Sequence, residues 1–326
     1  MRIWLSLLAF VLCSVLVGIC AGHTWASPAS VARALSGDTS LHSMLLLQWR
    51  FPRVVAAALV GALLGVAGTV FQGVFRNPLA EPYLLGSAGG AALGATIALL
   101  VPIGVPQAWL LPALAFLGAW GATLLVVGVS RAAGGLDIPT LLLSGVAVAA
   151  VLAALRSFLM LALSDETVSL QVVLSWVLGG MQTPSWNGVG LLLVVAVLAI
   201  FACFRLAPGL DKLGLGEQMA AAYGLRVTRF VVLAVLVGSA AVAASVTVGG
   251  LIGFVGLAAP HIARWSVGPM HRLVVPASAA IGSGVVTLAD AIARSALPPA
   301  EIPLGLITAL AGGPFFLLVL ARSRRW

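Results

Sequence analysis

Long apolar segments recur along this 326-residue chain and constrain its fold more than any other feature. A helix rises about 1.5 Å per residue, so about twenty apolar residues cross a bilayer core of about 30 Å. The pattern predicts an all-α, polytopic membrane protein with about ten transmembrane helices, in one domain covering residues 1–326. The predicted spans are 3–22, 52–75, 84–104, 109–130, 138–162, 187–204, 228–248, 250–267, 271–296 and 303–321, and an amphipathic half-helix is predicted at 168–180.

Charge supports the membrane assignment. Only 8% of the residues are charged and 61% are hydrophobic, whereas a soluble domain carries about 25% charged residues. The basic residues are sixteen arginines and one lysine, Lys212. No basic run is long enough to follow a phosphate backbone, so we expect membrane lipid and no nucleic acid as a partner.

The distribution of basic residues predicts the orientation, because cytoplasmic loops are enriched in arginine and lysine. With a cytoplasmic N-terminus, the inner side collects Arg2, Arg76, Arg131, Arg205, Lys212, Arg226, Arg229, Arg264, Arg272, Arg322, Arg324 and Arg325. The outer side collects Arg33, Arg50, Arg53, Arg156 and Arg294. Twelve basic residues against five place both termini inside, R-F-P-R (50–53) outside and N-P-L-A-E-P (77–82) inside.

The first apolar segment has two interpretations. It is either a retained helix or a cleaved signal peptide, and removal would leave nine spans and disturb the charge count, which favours retention. The cysteines Cys13, Cys20 and Cys203 are too scattered for a disulfide framework or a metal site, so we interpret them as apolar filling.

A weak internal repeat divides the chain into two halves. Residues 54–61 resemble 231–238, and residues 77–82 align with 255–260 at nearly the same offset. In the predicted topology the two copies run in opposite directions, which makes the repeat inverted, as in many transporters.

No catalytic constellation is evident. The histidines His23, His42, His261 and His271 are dispersed, and neither a nucleophile elbow nor a phosphate-binding loop occurs. We therefore expect no catalytic residue, metal site or cofactor on this chain. Any ATP that powers transport would be hydrolysed by another subunit.

Two ionisable positions lie inside predicted spans. Asp290 and Arg294 are four residues apart and are predicted to pair on one helix face. Arg156 lies about a turn and a half from the end of the fifth span, where an arginine costs about 2.5–3.5 kcal/mol if it faces lipid. Either it faces an aqueous pathway or its side chain extends to the outer surface.

The longest polar interval is 205–229, on the predicted cytoplasmic side. Pro208-Gly209 predicts a turn, and 217–223 a short helix closed by Gly224. The composition of this interval alone does not separate a docking element from a plain surface loop.

The motifs together resemble the permease subunits of type II ABC importers for cobalamin, ferric siderophores and haem, the FecCD-like family. The resemblance runs from about Arg50 to the C-terminus in the family's order. Its motifs are R-F-P-R (50–53), F-R-N-P-L-A-E-P-Y-L-L-G (75–86), L-L-L-S-G-V-A (141–147), W-V-L-G-G (176–180), L-G-x-x-x-A-x-x-x-G-L (215–225), G-L-I-G-F-V-G-L-A-A-P-H-I-A-R (250–264), A-D-x-x-A-R (289–294) and E-I-P-L-G-L-I-T-A-L-A-G-G-P-F-F (301–316).

The resemblance implies an assembly in the bacterial inner membrane. Two permease copies would form the pathway, two cytoplasmic ATPase subunits would bind ATP and Mg²⁺, and a periplasmic binding protein would deliver the cargo. It also implies roles for individual residues, which fall into four groups. These are docking of the binding protein (Arg50, Arg53, Arg294), the cytoplasmic gate (Asn77, Leu79, Thr140), coupling to the ATPase (Glu217, Ala220, Ala221, Gly224) and the candidate substrate pathway (Arg156).

Two alternatives from other classes remain at this point. An ion-coupled secondary transporter fits ten helices and an inverted repeat, but Asp290 is the only carboxylate placed inside a span, and coupling usually needs more. A polytopic membrane enzyme lacks a catalytic cluster. The apolar spans do not identify the cargo, and we expect a ferric chelate first.

Overall fold

The computed structural model describes residues 1–163 and 167–323, which form helices and no β-strand within those ranges. The helices are α1 (Arg2–Cys20), α2 (Pro28–Leu35), α3 (Leu41–Leu45), α4 (Phe51–Phe75), α5 (Ser87–Leu100), α6 (Gln107–Ala132), α7 (Ile138–Leu163), α8 (Thr167–Val177), α9 (Trp186–Leu213), α10 (Glu217–Ala222), α11 (Val227–Gly249), α12 (Val255–Val267), α13 (His271–Ser295) and α14 (Leu304–Ser323). A π-turn (Leu46–Arg50) precedes α4, and a 3₁₀ turn (Pro82–Leu85) precedes α5.

The polytopic, all-α prediction is confirmed. Within the described ranges, seven helices are long and apolar enough to cross a membrane, namely α1, α4, α6, α7, α9, α11 and α13. Of the three remaining predicted spans, two contain shorter apolar helices, Ser87–Leu100 and Leu304–Val319, and the third contains α12. Helix α5 has 14 residues and α12 has 13, so each would extend only about 20 Å.

Helices α5 and α12 follow irregular backbone, so the predicted spans 84–104 and 250–267 are α-helical only over Ser87–Leu100 and Val255–Val267. The chain turns at Gly86, whose φ is +76°, before α5, and at Phe254, whose φ is +66°, before α12. Both angles lie in the left-handed region, which interrupts a right-handed helix. Each segment therefore enters the bundle as a loop and continues as a half-helix.

Helix α4 is the centre of the bundle, and most of its residues are buried. It crosses α13 where Gly61 lies against Gly282 and Gly65 against Ser278, so that the two backbones touch. One turn further, the Thr69 hydroxyl donates to Ser278 Oγ at 2.9 Å. Small residues allow this close approach, which provides packing where lipid supplies no hydrophobic drive for association.

The contacts of α4 and α11 support the inverted repeat. Val60 of α4 packs against Gly249, and Phe71 against Gly238, so the two helices run antiparallel. They also have exchanged neighbours, since α4 packs on α13 and α12, whereas α11 packs on α6 and α5. The halves are therefore related by the inverted symmetry that the sequence repeat predicted.

The two ends of the bundle are called outer and inner after the predicted orientation. The outer end carries Arg50, Arg53 and Arg294, and the inner end carries Asn77 and Glu217. Helix α1 belongs to the bundle, since Gly18 packs on Thr287 of α13 and Phe10 packs on Gly284.

The predicted polar interval 205–229 is shorter than expected. Pro208-Gly209 was predicted as a turn, but both residues lie inside α9, which continues to Leu213. Proline removes only one backbone donor from a helix, and Gly209 makes room for the ring of Phe230 on α11. The segment outside the long helices therefore covers only 214–226.

Helix α8 confirms the half-helix predicted at 168–180. It packs beside α5, and one of its faces, with Val173 and Trp176, is buried. The neighbouring Val172 and Leu174 are exposed, as expected for a helix that packs on one side.

We predict that Gly65→Ile destabilises the bundle, because a side chain there would meet the backbone of Ser278. Overpacking of this kind costs about 1–3 kcal/mol, so the thermal midpoint in detergent should fall. Gly128→Ile is the control, since an added carbon at Gly128 of α6 meets no atom within 4 Å. Equal losses in the two variants would contradict this account of the α4–α13 contact.

Candidate functional site

Two of the three arginines predicted to dock the binding protein hold the end of α1. The Arg294 guanidinium donates to the carbonyl oxygens of Ala21 at 2.8 Å and Gly18 at 2.9 Å. Arg50 donates to the carbonyls of Cys20 at 3.3 Å and Thr24 at 2.7 Å. The last carbonyls of a helix have no partner within the helix and carry partial negative charge, so these arginines cap α1.

The third arginine, Arg53, lies between two carboxylates. Its Nε donates to Asp290 Oδ1 at 3.0 Å, and its terminal nitrogens reach Glu301 at 2.9 and 3.2 Å. The other oxygen of Asp290 accepts from Arg294 Nε at 2.8 Å, which confirms the predicted pairing of Asp290 with Arg294. Asp290 thus joins α4 to α13 through two arginines.

The structure therefore brings the three arginines together at the outer end, where their contacts are within the chain. The side chains of Arg53 and Arg294 are only 12% and 6% exposed, whereas Glu301 is 53% exposed. Docking of a binding protein stays a prediction for this surface. Of the two acids that hold Arg53, Glu301 is the one open to solvent.

The predicted gate residues lie in two capped turns. Asn77 Oδ1 accepts from the backbone N–H of Leu79 at 2.9 Å, directly after Arg76 ends α4 with a φ of +50°. Thr140 lies in the first turn of α7, where its hydroxyl donates to Asp137 Oδ1 at 2.7 Å. That hydrogen bond lowers the pKa of Asp137 below its usual value. The gate role of Asn77, Leu79 and Thr140 stays a prediction.

The predicted coupling helix is present as α10. It lies between Gly216 and Gly224, whose φ values of +99° and +77° favour glycine. Lys212 donates to the Tyr223 carbonyl at 3.1 Å and so caps its C-terminus. Arg76 and Glu217 form an ion pair at 3.2 Å, which joins α10 to the turn that holds Asn77.

Only part of α10 can meet a partner. Ala220, one of the four predicted coupling residues, is fully buried against the rest of the chain, so its side chain is not open to a partner. The exposed apolar side chains of this segment are Leu215 (60%), Met219 (49%) and Tyr223 (58%), which recur every four residues. Ala221 is also exposed.

Glu81 and Tyr83 form a junction that the sequence analysis did not identify. Glu81 Oε1 accepts from the backbone N–H of Phe254 at 3.0 Å, and the Tyr83 hydroxyl accepts from that of Ile252 at 3.2 Å. The two irregular segments thus meet at the first turn of α12. The placement of Glu81 between two prolines, in the segment aligned with 255–260, was the available signal.

A polar chain inside the bundle continues from this junction. Arg264 of α12 donates to Gln72 Oε1 at 2.5 Å, and Gln72 Nε2 donates to the carbonyl of Leu257 at 3.2 Å. Gln72 is 2% exposed, so its amide requires such partners. The half-helix α12 is fixed to α4 by side chains as well as by packing.

Arg156 lies on α7, most of whose surface is apolar and exposed. Its side chain is partly buried, and its Nε has no hydrogen-bond partner among the described residues. Both interpretations of Arg156 remain: its side chain faces an aqueous pathway, or it extends to the outer surface.

The inverted repeat, two half-helices and a short helix outside the bundle define a polytopic α-helical membrane protein of the transporter type. The sequence model of the FecCD transport family matches residues 7–322. The chain belongs to the FecCD transport family, and it is an ABC transporter permease.

Individual relatives agree with this assignment. The chain is 35% identical to the uncharacterized ABC transporter permease protein YvrB of Bacillus subtilis, over 97% of this chain and 92% of YvrB. It is 36% identical to the vitamin B12 import system permease protein BtuC of Salmonella typhi, over 98% of this chain and 95% of BtuC. These matches give no support to an ion-coupled secondary transporter.

Solved structures show the same fold. A structure described as an inward-facing conformation of an ABC transporter of the metal-chelate type superposes with a TM-score of 0.86 at 28% identity, covering 98% of this chain and 99% of that one. PsaBC from Streptococcus pneumoniae matches with a TM-score of 0.58 at 19% identity, over 88% and 94% of the chains, which shows the likeness of fold alone.

We predict that Asp290→Ala is far more destabilising than Glu301→Ala. Loss of Asp290 leaves two mostly buried arginines without their shared carboxylate, which costs about 3–5 kcal/mol. Loss of the half-exposed Glu301 costs about 1 kcal/mol or less. Thermal unfolding of both variants in detergent measures the difference, and similar midpoints would contradict the central place of Asp290.

Proposed function

We propose that two copies of this chain form the membrane pathway of an ATP-driven importer that carries a metal chelate from the periplasm to the cytoplasm. A separate ATPase binds ATP and Mg²⁺, and a periplasmic binding protein delivers the cargo. Both termini are cytoplasmic in this arrangement, because the inner end carries most of the arginines. The match to the FecCD family over residues 7–322 carries the proposal.

The pathway is proposed to lie between the two copies, along α7 and α14. Helix α7 has large exposed apolar side chains along much of its length, such as Leu143 (72%), Val146 (67%) and Leu161 (85%). On α14, Leu310 (74%) and Leu317 (65%) are similarly exposed. A pathway beside α7 would also give Arg156 water, which avoids the cost of an arginine that faces lipid.

Transmission of ATPase movement is proposed to start at α10. Leu215, Met219 and Tyr223, which lie on α10 or next to it, expose apolar side chains that are suited to an apolar groove. The Arg76–Glu217 ion pair leads from there to the Asn77 turn. Glu81 then joins the same segment to α12. Displacement of α10 would thus reach the interior of the bundle through contiguous contacts.

A metal chelate is the proposed cargo class. BtuC is named for vitamin B12, a cobalt chelate, and the solved relative is described as metal-chelate type. Cobalamin is therefore the first cargo to test, followed by ferric siderophores and haem.

Transport in proteoliposomes tests this function. The permease, its ATPase and its binding protein are reconstituted, and uptake of labelled cobalamin or ferric siderophore is measured with ATP on the cytoplasmic side. We expect uptake that requires ATP and the binding protein. Uptake that collapses with an uncoupler at constant ATP would instead indicate ion coupling.

We predict that Ala221→Trp impairs assembly with the ATPase and leaves membrane insertion intact. Ala221 is exposed on a short helix, so an indole there would obstruct a groove that receives α10. Co-purification of the ATPase measures assembly, with Ala133→Trp, at an exposed position after α6, as the matched control. Full ATPase recovery and normal uptake in Ala221→Trp would contradict the coupling role.

We predict that Glu301→Gln strengthens binding of the binding protein at low salt by about twofold to fivefold, the worth of one exposed ion pair. Glu301 is paired with Arg53 in this structure, and loss of its charge frees the guanidinium for an acidic residue of the binding protein. Surface plasmon resonance with the reconstituted permease measures the affinity.

Arg53→Gln removes the guanidinium itself, so the affinity of the permease for the binding protein should fall. Arg50→Glu is a poorer probe, because Arg50 also caps α1. Unchanged affinity in both Glu301→Gln and Arg53→Gln would remove Arg53 from the docking surface.

A further inference from the structure

A cavity of about 1200 Å³ opens beside α8, and no step of the proposed transport cycle uses it. Its walls are the first turns of α6 and α9, one face of α8, the last turns of α11 and Leu99 of α5. It lies toward the outer end, since Trp186 at the start of α9 donates to the carbonyl of Leu47 at 3.0 Å, just before Arg50.

The lining of the cavity changes from polar to apolar with depth. The polar lining side chains are those of Gln107, Gln171, Ser175, Gln182, Thr183, Ser185 and Thr247, most of which lie at the starts of α6 and α9 or at the end of α11. Further along the same helices the lining residues are apolar, and they include Leu111, Phe116, Leu192, Val195 and Ala244. From Gln107 to Phe116 a helix advances by about 13 Å, so the apolar part reaches well into the bundle.

Charge excludes several kinds of occupant. Among the described lining residues, no side chain is an acid, an arginine or a lysine. An anionic chelate would therefore find no partner for its charge. Water alone would also be poorly held, because ordered water needs several polar partners and the deep part has apolar walls.

We propose that the cavity binds one acyl chain of an outer-leaflet phospholipid. The hydrocarbon chain occupies the apolar part, and the ester region lies among the polar residues, whose side-chain amide and hydroxyl groups can donate to ester oxygens. An uncharged, elongated molecule with polar groups at one end matches this distribution of lining residues, and the bilayer supplies it next to the opening.

Such a lipid would stabilise α8 in its place. The turn after α8 is hydrogen-bonded to the start of α14, since Leu304 N–H donates to the Gly179 carbonyl and Gly305 N–H to the Leu178 carbonyl, both at 3.0 Å. A chain that fills the space behind α8 therefore supports its contact with α14. The lipid becomes a structural component of the outer half.

Retention of lipid tests the proposal. The full-length permease is reconstituted in vesicles of phosphatidylethanolamine and phosphatidylglycerol and extracted in mild detergent. Lipid bound per chain is then counted by native mass spectrometry. Val195→Trp fills the cavity from α9, and Val194→Trp, one residue away and 57% exposed outside the cavity lining, is the matched control.

We expect wild type and Val194→Trp to retain one phospholipid per chain and Val195→Trp to retain at least about fivefold less. Equal retention in Val195→Trp and wild type would overturn the proposal. Equal loss of lipid from Val194→Trp and Val195→Trp would also overturn it. So would a result in which Val195→Trp loses a second permease copy and retains its lipid.

Discussion

Backbone groups that leave a helix inside a membrane must find partners within the protein, and this constraint organises the bundle. The irregular segment before α12 is the clearest case. The N–H groups of Ile252 and Phe254 are accepted by Tyr83 and Glu81 from the other irregular segment. A glutamate at this position also faces the positive end of the α12 helix dipole. The break before α12 is thus compensated by residues beside the break before α5.

The same constraint applies at the outer end, where α1 terminates. The carbonyl oxygens of Gly18, Cys20 and Ala21 accept hydrogen bonds from Arg50 and Arg294, and Asp290 balances the charge of Arg294. An arginine can serve a helix end in this way because it presents several donors in a fixed geometry. Residues to which the resemblance assigns docking of a partner therefore also hold the permease together.

The sequence predicted the long helices well, because apolar length alone defines them. It predicted the short helix at Glu217 and its end at Gly224 from local turn chemistry. The turn predicted at Pro208-Gly209 was wrong. Packing of Gly209 on Phe230 keeps α9 helical through a proline, a residue that usually interrupts helices. The half-helices were predicted as full spans, because hydropathy does not record where an apolar segment stops being helical.

The polar contacts were harder to predict than the helices. The pairing of Asp290 with Arg294 followed from a spacing of four residues on one helix. The contacts of Arg53 with Glu301 and of Glu81 with Phe254 join residues more than 170 positions apart, and no local sequence pattern predicts them. Burial of Ala220 was likewise invisible, because all three alanines of α10 are alike in sequence.

The antiparallel relation of α4 and α11 has a consequence for the energetics of opening. Two halves with the same fold and opposite direction are a common basis of alternating access, in which a transporter has arrangements open on opposite sides of the membrane. A modest interaction at either face, such as binding of a partner, is sufficient to change which arrangement is populated.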